Sequence, residues 1–286
     1  MKPIRIAGAG LAGLALANAL QRAGIPTTLY EAHSLPRHRV CGEFICGRGA
    51  DALKALNLGH SLADAQVHRS IEWTRLGQRV LRSELPSPAY GLSRHCLDQR
   101  LADSFQQAGG DFQKQTRYRS TESTEGEVLC YGREASASDW IGLKFHCSGL
   151  KTSADLELHL GDQGYLGISA VEDGRYNVCA LFRRRPEIRA HKTELLLQYL
   201  SACGLHTLHQ RLLRSEIDSN SHVGVAGIQF SRLPETTDPN IRLGDAYSVI
   251  PPFTGNGMSI ALESAAIAYP ELHAYAAQAQ SWEQTR

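Results

Sequence analysis

The sequence predicts an α/β domain built on a parallel sheet and interrupted by a mostly antiparallel β insertion. Three observations carry this reading. The first 31 residues hold a strand, a glycine turn, a helix and a second strand. Near the other end, a strand finishing in Gly244-Asp245 leads through a Pro/Gly loop into a long helix. Between them lie short β-type segments separated by Gly and Asp turns, such as Glu172-Asp173-Gly174.

The elements follow in order. Residues 3–7 read as a short buried strand, 11–23 as a helix closed by Gly24-Ile25-Pro26, and 27–31 as the next strand, which makes a βαβ unit. Residues 32–48, rich in Arg, His, Cys and Gly, read as a functional loop, and 50–58 as a short helix with Asp51 near its positive end. Residues 67–90 alternate in the β manner. An amphipathic helix is predicted over 98–108, with Leu97, Leu101 and Phe105 spaced by four and Gly109-Gly110 at its end. Residues 113–131 read as a polar β-meander and 140–182 as several strands. Helices are expected over 192–200 and 207–213, a strand over 223–230, a loop over 234–240, a buried strand over 241–245 and a last helix from Met258.

Composition narrows the function. The chain has 286 residues, Lys+Arg 30 against Asp+Glu 29, and a formal net charge of +1. That balance argues against nucleic acid or an anionic membrane as the main partner, because both select a basic excess. Seven cysteines with no C-x-x-C pair read as reduced cytosolic thiols, and the 12 histidines show no H-E-x-x-H spacing, so no metal is expected. Residues 1–20 superficially match a secretory signal, but the glycine pattern accounts for the same residues better. No segment has the roughly 20 apolar residues that span a bilayer.

Gly8-Ala9-Gly10-Leu11-Ala12-Gly13 is the strongest local signal. It follows a strand, opens a helix and precedes Glu31 at the end of the next strand. Gly8 allows the tight turn, Gly10 lets the backbone approach a pyrophosphate, and Gly13 permits close helix–strand packing. The helix start offers free N–H groups and partial positive charge to a diphosphate. Glu31 is placed for ribose hydroxyls. Downstream, Gly255 and Gly257 let the backbone pass against a planar ligand, while Asp245 can accept from polyol hydroxyls.

Together, Gly8–Gly13 with Glu31, and Gly244-Asp245 with Pro251-Pro252-Phe253-Thr254-Gly255-Asn256-Gly257, resemble the FAD fingerprints of flavin-dependent monooxygenases of the aromatic hydroxylase type. That family extends to geranylgeranyl-reductase-like and halogenase-like flavoproteins. The resemblance implies a Rossmann-type FAD-binding domain over 1–66, 91–138 and 236–286, interleaved with a substrate domain over 67–90 and 139–235. It implies that Gly8, Gly10, Leu11, Ala12, Gly13, Glu31 and Ala32 hold the ADP half of FAD. Gly244 and Asp245 would hold the ribityl–phosphate part, and Pro252, Gly255, Asn256, Gly257 and Met258 would face the flavin. Arg94 resembles the arginine these enzymes place near the cofactor. Cys41-Gly42-Glu43-Phe44 resembles a segment that runs alongside the isoalloxazine in the reductase-like branch. Cys41 and Glu43 are thus the candidate catalytic groups; a buried thiol and a loop anchor are their alternative roles. His146 and Tyr165 read as sheet or core residues.

The resemblance implies hydroxylation of a small aromatic or polyketide-like metabolite through a flavin C4a-hydroperoxide, with NAD(P)H as a candidate electron donor, in the cytoplasm. Tyr131-Gly132 stands where hydroxylases carry an Asp-Gly motif that also serves the pyridine nucleotide, and the halogenase W-x-W-x-I-P motif is absent. Family members usually continue past Ser281-Trp282-Glu283. Two alternatives therefore stay open: a flavin-dependent reductase of carbon–carbon double bonds, and a truncated, non-catalytic flavin-binding protein. Oligomeric state is not legible.

Overall fold

The computed structural model describes residues 1–119, 125–133, 137–230 and 240–286. Among the described residues five parallel strands form one sheet in the order Ile241–Arg242, Glu127–Leu129, Ile4–Ala7, Thr27–Tyr30, Asp111–Gln113. The central strand is sealed: Ile4 and Ile6 have no exposed surface, and neither do Leu29 and Val128 beside them. Burial on both faces favours continuous apolar runs and parallel pairing. Helix Leu11–Arg22 packs over this sheet with Leu11 through Leu20 all buried, alongside Arg94–Gln107 and the 20-residue helix Gly257–Ala276.

The expected meander over 113–131 is corrected. Asp111–Gln113 pairs with Thr27–Tyr30 and Glu127–Leu129 pairs with Ile4–Ala7, both in parallel, so these segments are neighbours of the first βαβ unit and not of each other. The physical reason is Val128-Leu129-Cys130, whose side chains are buried in the sheet core. Residues 120–124, also within that stretch, lie outside the described residues, as do 234–239 of the loop read over 234–240.

Helix boundaries shift for identifiable reasons. The helix expected over 98–108 spans Arg94–Gln107, because the Ser93 hydroxyl accepts from Cys96 N at 3.0 Å and caps it four residues earlier. The helix read over 50–58 spans Gly47–Ala55, which puts Asp51 inside it rather than at its start. Gly49 is tolerated there because a Cβ would lie 2.8 Å from Ser259 Cα, where the long C-terminal helix crosses. The strand read over 223–230 is Val223–Ala226, and that over 241–245 stops at Arg242, where a short 3-10 turn, Gly244–Ala246, takes over.

Among the described residues a second sheet has nine strands, in the order Glu216–Ile217, Trp140–Ser148, Tyr176–Arg183, Gly164–Ala170, Leu156–Gly161, Gln66–Arg75, Gln78–Gly91, Phe44–Ile45, with Val223–Ala226 also paired to Trp140–Ser148. All neighbours are antiparallel except Gln66–Arg75 with Leu156–Gly161. Its far face packs on helices Lys192–Ala202 and His206–Leu212 around Phe145, Phe182 and Tyr199. The other face looks toward the parallel sheet's carboxyl ends, and the site lies between them.

Candidate functional site

A cleft of about 1490 Å³ lies where the two sheets meet. Small-molecule sites usually enclose about 300–1,000 Å³, so this one has room for a large cofactor and a second molecule. One wall is made by the first glycine turn. Gly8, Gly10, Leu11 and Ala12 line it, with Glu31 and Ala32 from the end of the neighbouring strand. Gly8 has φ +108°, and a Cβ there would lie 2.5 Å from the Cys130 carbonyl oxygen, so only glycine permits this turn. Gly13 does not line the cleft; a Cβ on it would sit 2.0 Å from the Gly8 carbonyl, which makes it the close-packing residue of helix on strand.

The second wall is built the same way from the far end of the chain. Gly244, Asp245, Pro252, Gly255, Asn256, Gly257 and Met258 line it, and Gly255 takes the left-handed φ of +68° that ends one turn and aims the next helix. Helices Leu11–Arg22 and Gly257–Ala276 both begin at this cleft. Neither start is capped by a side chain, and neither has an acidic residue in its first turn. Two open N-terminal dipoles in one cleft suit an anionic ligand. Asp245 is open to the cleft but otherwise ringed by protein; burial raises its carboxyl above the usual range against the opposing charges of Arg94, Arg133 and Arg39. Glu31 is nearly buried, its oxygens accepting from Ala9 N at 3.1 Å and His33 N at 2.9 Å.

The third wall is the second sheet, and alternation along its strands divides it in two. Ile71, Trp73, Leu156 and Leu158 face the cleft with Leu181 beside them. Their neighbours Glu72, Thr74, Glu157 and His159 are buried on the opposite face. There Thr74 Oγ1 meets His159 Nδ1 at 2.8 Å, His159 Nε2 meets Glu157 Oε2 at 3.0 Å, and Arg211 pairs with the same oxygen. His159 and Arg211 outweigh the burial that would raise the Glu157 carboxyl and hold it at about 2. The apolar wall is thus backed by a fixed polar layer.

Cys41, Gly42 and Glu43 cross between these walls on a loop fastened to the second sheet. Lys144 and His146 alternate with apolar residues on strand Trp140–Ser148 and stand in register opposite Cys179 and Asn177. Asn177 Nδ2 donates to the Cys41 carbonyl at 3.0 Å, and Ser169 Oγ to that of Gly42 at 3.3 Å. Glu43, fully buried and held at φ +52°, takes Lys144 Nζ at 3.1 Å and Arg94 N at 3.0 Å on one oxygen and His146 Nε2 at 2.5 Å on the other. Burial pushes the Glu43 carboxyl up, but the His146 hydrogen bond and the Lys144 charge outweigh it and hold it below the ordinary range. A strained, over-determined φ at a cleft is characteristic of functional loops. Cys41 lines the cleft, its thiol raised by burial despite the nearby Arg94.

Arg94 also lines the cleft. Its guanidinium is forked onto Asp98 at 2.7 and 2.9 Å, and Arg39 Nε approaches the same carboxylate at 3.3 Å. Burial lowers the Arg39 guanidinium to about 10, aided by Arg94 and opposed by Asp98. The structure therefore gathers Cys41, Gly42, Glu43 and Arg94 with both glycine walls. His146, read as a sheet or core residue, is buried in strand Trp140–Ser148 and also partners Glu43; Tyr165 lines the cleft. Lys144 and His38 escaped sequence reasoning. The available signal was two polar residues at i, i+2 in the otherwise apolar Leu143-Lys144-Phe145-His146-Cys147. Among the described residues one cluster, His38, Glu43 and His146, has ligand atoms within 4.8 Å of one another. The Lys144 ammonium, 3.3 Å from His38 Nδ1 and 3.1 Å from Glu43 Oε1, already supplies the cation there.

Two glycine turns and two open helix starts on one cleft, faced by an apolar wall, form a site suited to a dinucleotide cofactor. Residues 1–140 match the family described as FAD binding domain, so this segment is such a domain. The structure is similar to PqsL of Pseudomonas aeruginosa in complex with 2-aminobenzoylacetate, at 15% identity and TM-score 0.77, covering 100% of this chain and 89% of that one. It is similar to the flavin-dependent brominase Bmp2, at 14% identity and TM-score 0.77, covering 99% and 81%. HpxO of Klebsiella pneumoniae, complexed with FAD and uric acid, matches at 19% identity and TM-score 0.73, covering 100% and 82%. Comparison with curated protein sequences gave no match. No helix among the described residues is long and apolar enough to cross a membrane.

Proposed function

We propose that the protein is an FAD-dependent monooxygenase that hydroxylates a small aromatic or polyketide-like metabolite, with NAD(P)H as the electron donor. The observation that carries this is the cleft's two-part construction: glycine walls and helix dipoles suited to a dinucleotide, facing an apolar wall of Ile71, Trp73, Leu156 and Leu158. The residues present fit FAD. A Cβ on Gly42 or Gly257 would meet nothing within 4 Å, so the backbone is open to a flat ligand at both places.

In this reading Gly8, Gly10, Leu11, Ala12, Glu31 and Ala32 hold the ADP half, with Gly13 supporting them from behind. Asp245 would accept from ribityl hydroxyls, and residues 255–258 would hold the ring. FAD, when bound, supplies the oxygen-activating chemistry. The protein's own residues position, stabilise charge and exclude water. The dipole of helix Gly257–Ala276 favours negative charge at the ring edge, a fixed electrostatic contribution. Glu43 is the anchor that holds Cys41 and Gly42 against the cleft, since its oxygens are committed to Lys144, His146 and Arg94 N. The apolar wall orients an aromatic substrate and keeps water from it.

Purified protein should be yellow, its flavin should be reduced by NADH or NADPH, and oxygen uptake should couple to hydroxylation of a member of an aromatic panel. Oxygen-independent reduction of an isoprenoid would instead select a carbon–carbon double-bond reductase. Failure to bind flavin after reconstitution with excess FAD would overturn both.

A further inference from the structure

His38 lines the cleft and is half-buried, and its two ring nitrogens have different surroundings. Nδ1 receives Lys144 Nζ at 3.3 Å, while Nε2 has no hydrogen-bond partner among the described residues. An ammonium has only donors to give, so Nδ1 must be the acceptor and the ring hydrogen sits on Nε2. The ring cannot easily turn over. It stacks on His95 with centroids 4.8 Å apart and meets the edge of His146 at 5.2 Å. Lys144 is itself locked by the Glu43 carboxylate, and His146 Nε2 holds the other oxygen of that carboxylate while its Nδ1 is buried without a partner. A protonated His146 would bury an unpaired N–H, so His146 serves as a neutral donor and Glu43 with Lys144 forms a neutral pair.

We propose that His38 is the proton-exchanging residue of this cleft, presenting Nε2–H to an oxyanion of the bound substrate while Lys144 fixes its tautomer and resupplies it. The substrate class rests on the monooxygenase reading above. In the step, the Nε2–H bond breaks as the proton passes to a phenolate or enolate oxygen. A new N–H bond forms at Nδ1 with a proton from the Lys144 ammonium, leaving a neutral amine beside the Glu43 carboxylate. No electrons change hands, and the reverse passage restores the ammonium. Lys144, Glu43 and His146 are positioning residues.

The groups facing His38 are Lys144 and His146 from the sheet, Glu43 from its loop and His95 from helix Arg94–Gln107; burial first, then the Lys144 ammonium, lowers its imidazole to about 4. Nitrogen-15 NMR of the histidine rings in the full chain, with His38 assigned through His38→Gln, reads this directly. His38 should show the single Nε2–H tautomer and titrate near 4, and Lys144→Gln should raise that midpoint by about one pH unit, a tenfold change in proton affinity. Mixed tautomers, a wild-type midpoint near the ordinary 6.5, or no response to Lys144→Gln would overturn the assignment. With FAD bound, 4-nitrophenol serves as the substrate probe, and His38→Gln should shift the ionisation midpoint of the bound probe. No shift would also overturn the assignment. A probe that does not bind, with the ring signals as expected, supports the assignment while counting against the aromatic-substrate reading.

Discussion

Glu43 Oε1 and Lys144 Nζ stand 3.1 Å apart with neither side chain exposed, so one buried ion pair fastens the cleft loop to the second sheet. Removing one member strands the other away from water, which typically costs about 3–5 kcal/mol, whereas replacing both by apolar groups is often neutral. Lys144→Met should therefore lower unfolding free energy in urea by about that amount, and the double variant Glu43→Leu/Lys144→Met should recover only part of it, because His146 Nε2 and Arg94 N lose their acceptor. A double variant as unstable as the sum of the singles would show that the pair is not a unit.

Acid should destabilise the protein in two stages. The His38 imidazole is lowered to about 4 from 6.5, so the folded state resists protonation that the unfolded chain accepts, and stability falls as pH drops from about 6.5 to 4. Glu157, held at about 2 below the ordinary 4.5, contributes stability present above 4.5 and lost as pH falls toward 2. Denaturation midpoints across pH should show both, and His38→Gln should flatten the upper stage alone.

Alanine at Gly8 forces a Cβ to within 2.5 Å of the Cys130 carbonyl at a φ of +108°. Strain of this kind costs about 1–3 kcal/mol when the backbone cannot shift. Gly8→Ala should lower the melting temperature and reduce the flavin that copurifies, read from the absorbance ratio of flavin to protein. Gly24→Ala, at φ +75° with nothing within 4 Å of a Cβ, should leave flavin content unchanged.

Asp245 is open to the cleft and has no hydrogen bond within the described protein, consistent with an acceptor reserved for a ligand. Loss of hydrogen bonds to a charged group costs about 1.5–3 kcal/mol, or roughly tenfold to a hundredfold in affinity. Asp245→Ala should weaken FAD binding by that factor in a fluorescence titration, with little change in the stability of the flavin-free protein. Unchanged affinity would remove Asp245 from the cofactor site.

Much of the parallel domain was legible because its determinants are local. Gly8, Gly10 and Gly13 declare their backbone needs within six residues, and Gly255 and Gly257 do the same before the last helix. The strand at 127–129 was misread because its partners, Ile4–Ala7 and Ile241–Arg242, are more than a hundred residues away and no local pattern announces a parallel pairing. The sequence by itself determined two glycine-built helix starts and an acidic residue for each. The resemblance already implied that both starts serve one cofactor; only the tertiary structure decided that Glu43 meets Lys144 and His146 from a strand a hundred residues on. Register across the second sheet places Lys144, His146 and Asn177 under one loop, and the cost of burying charge then requires them to pair.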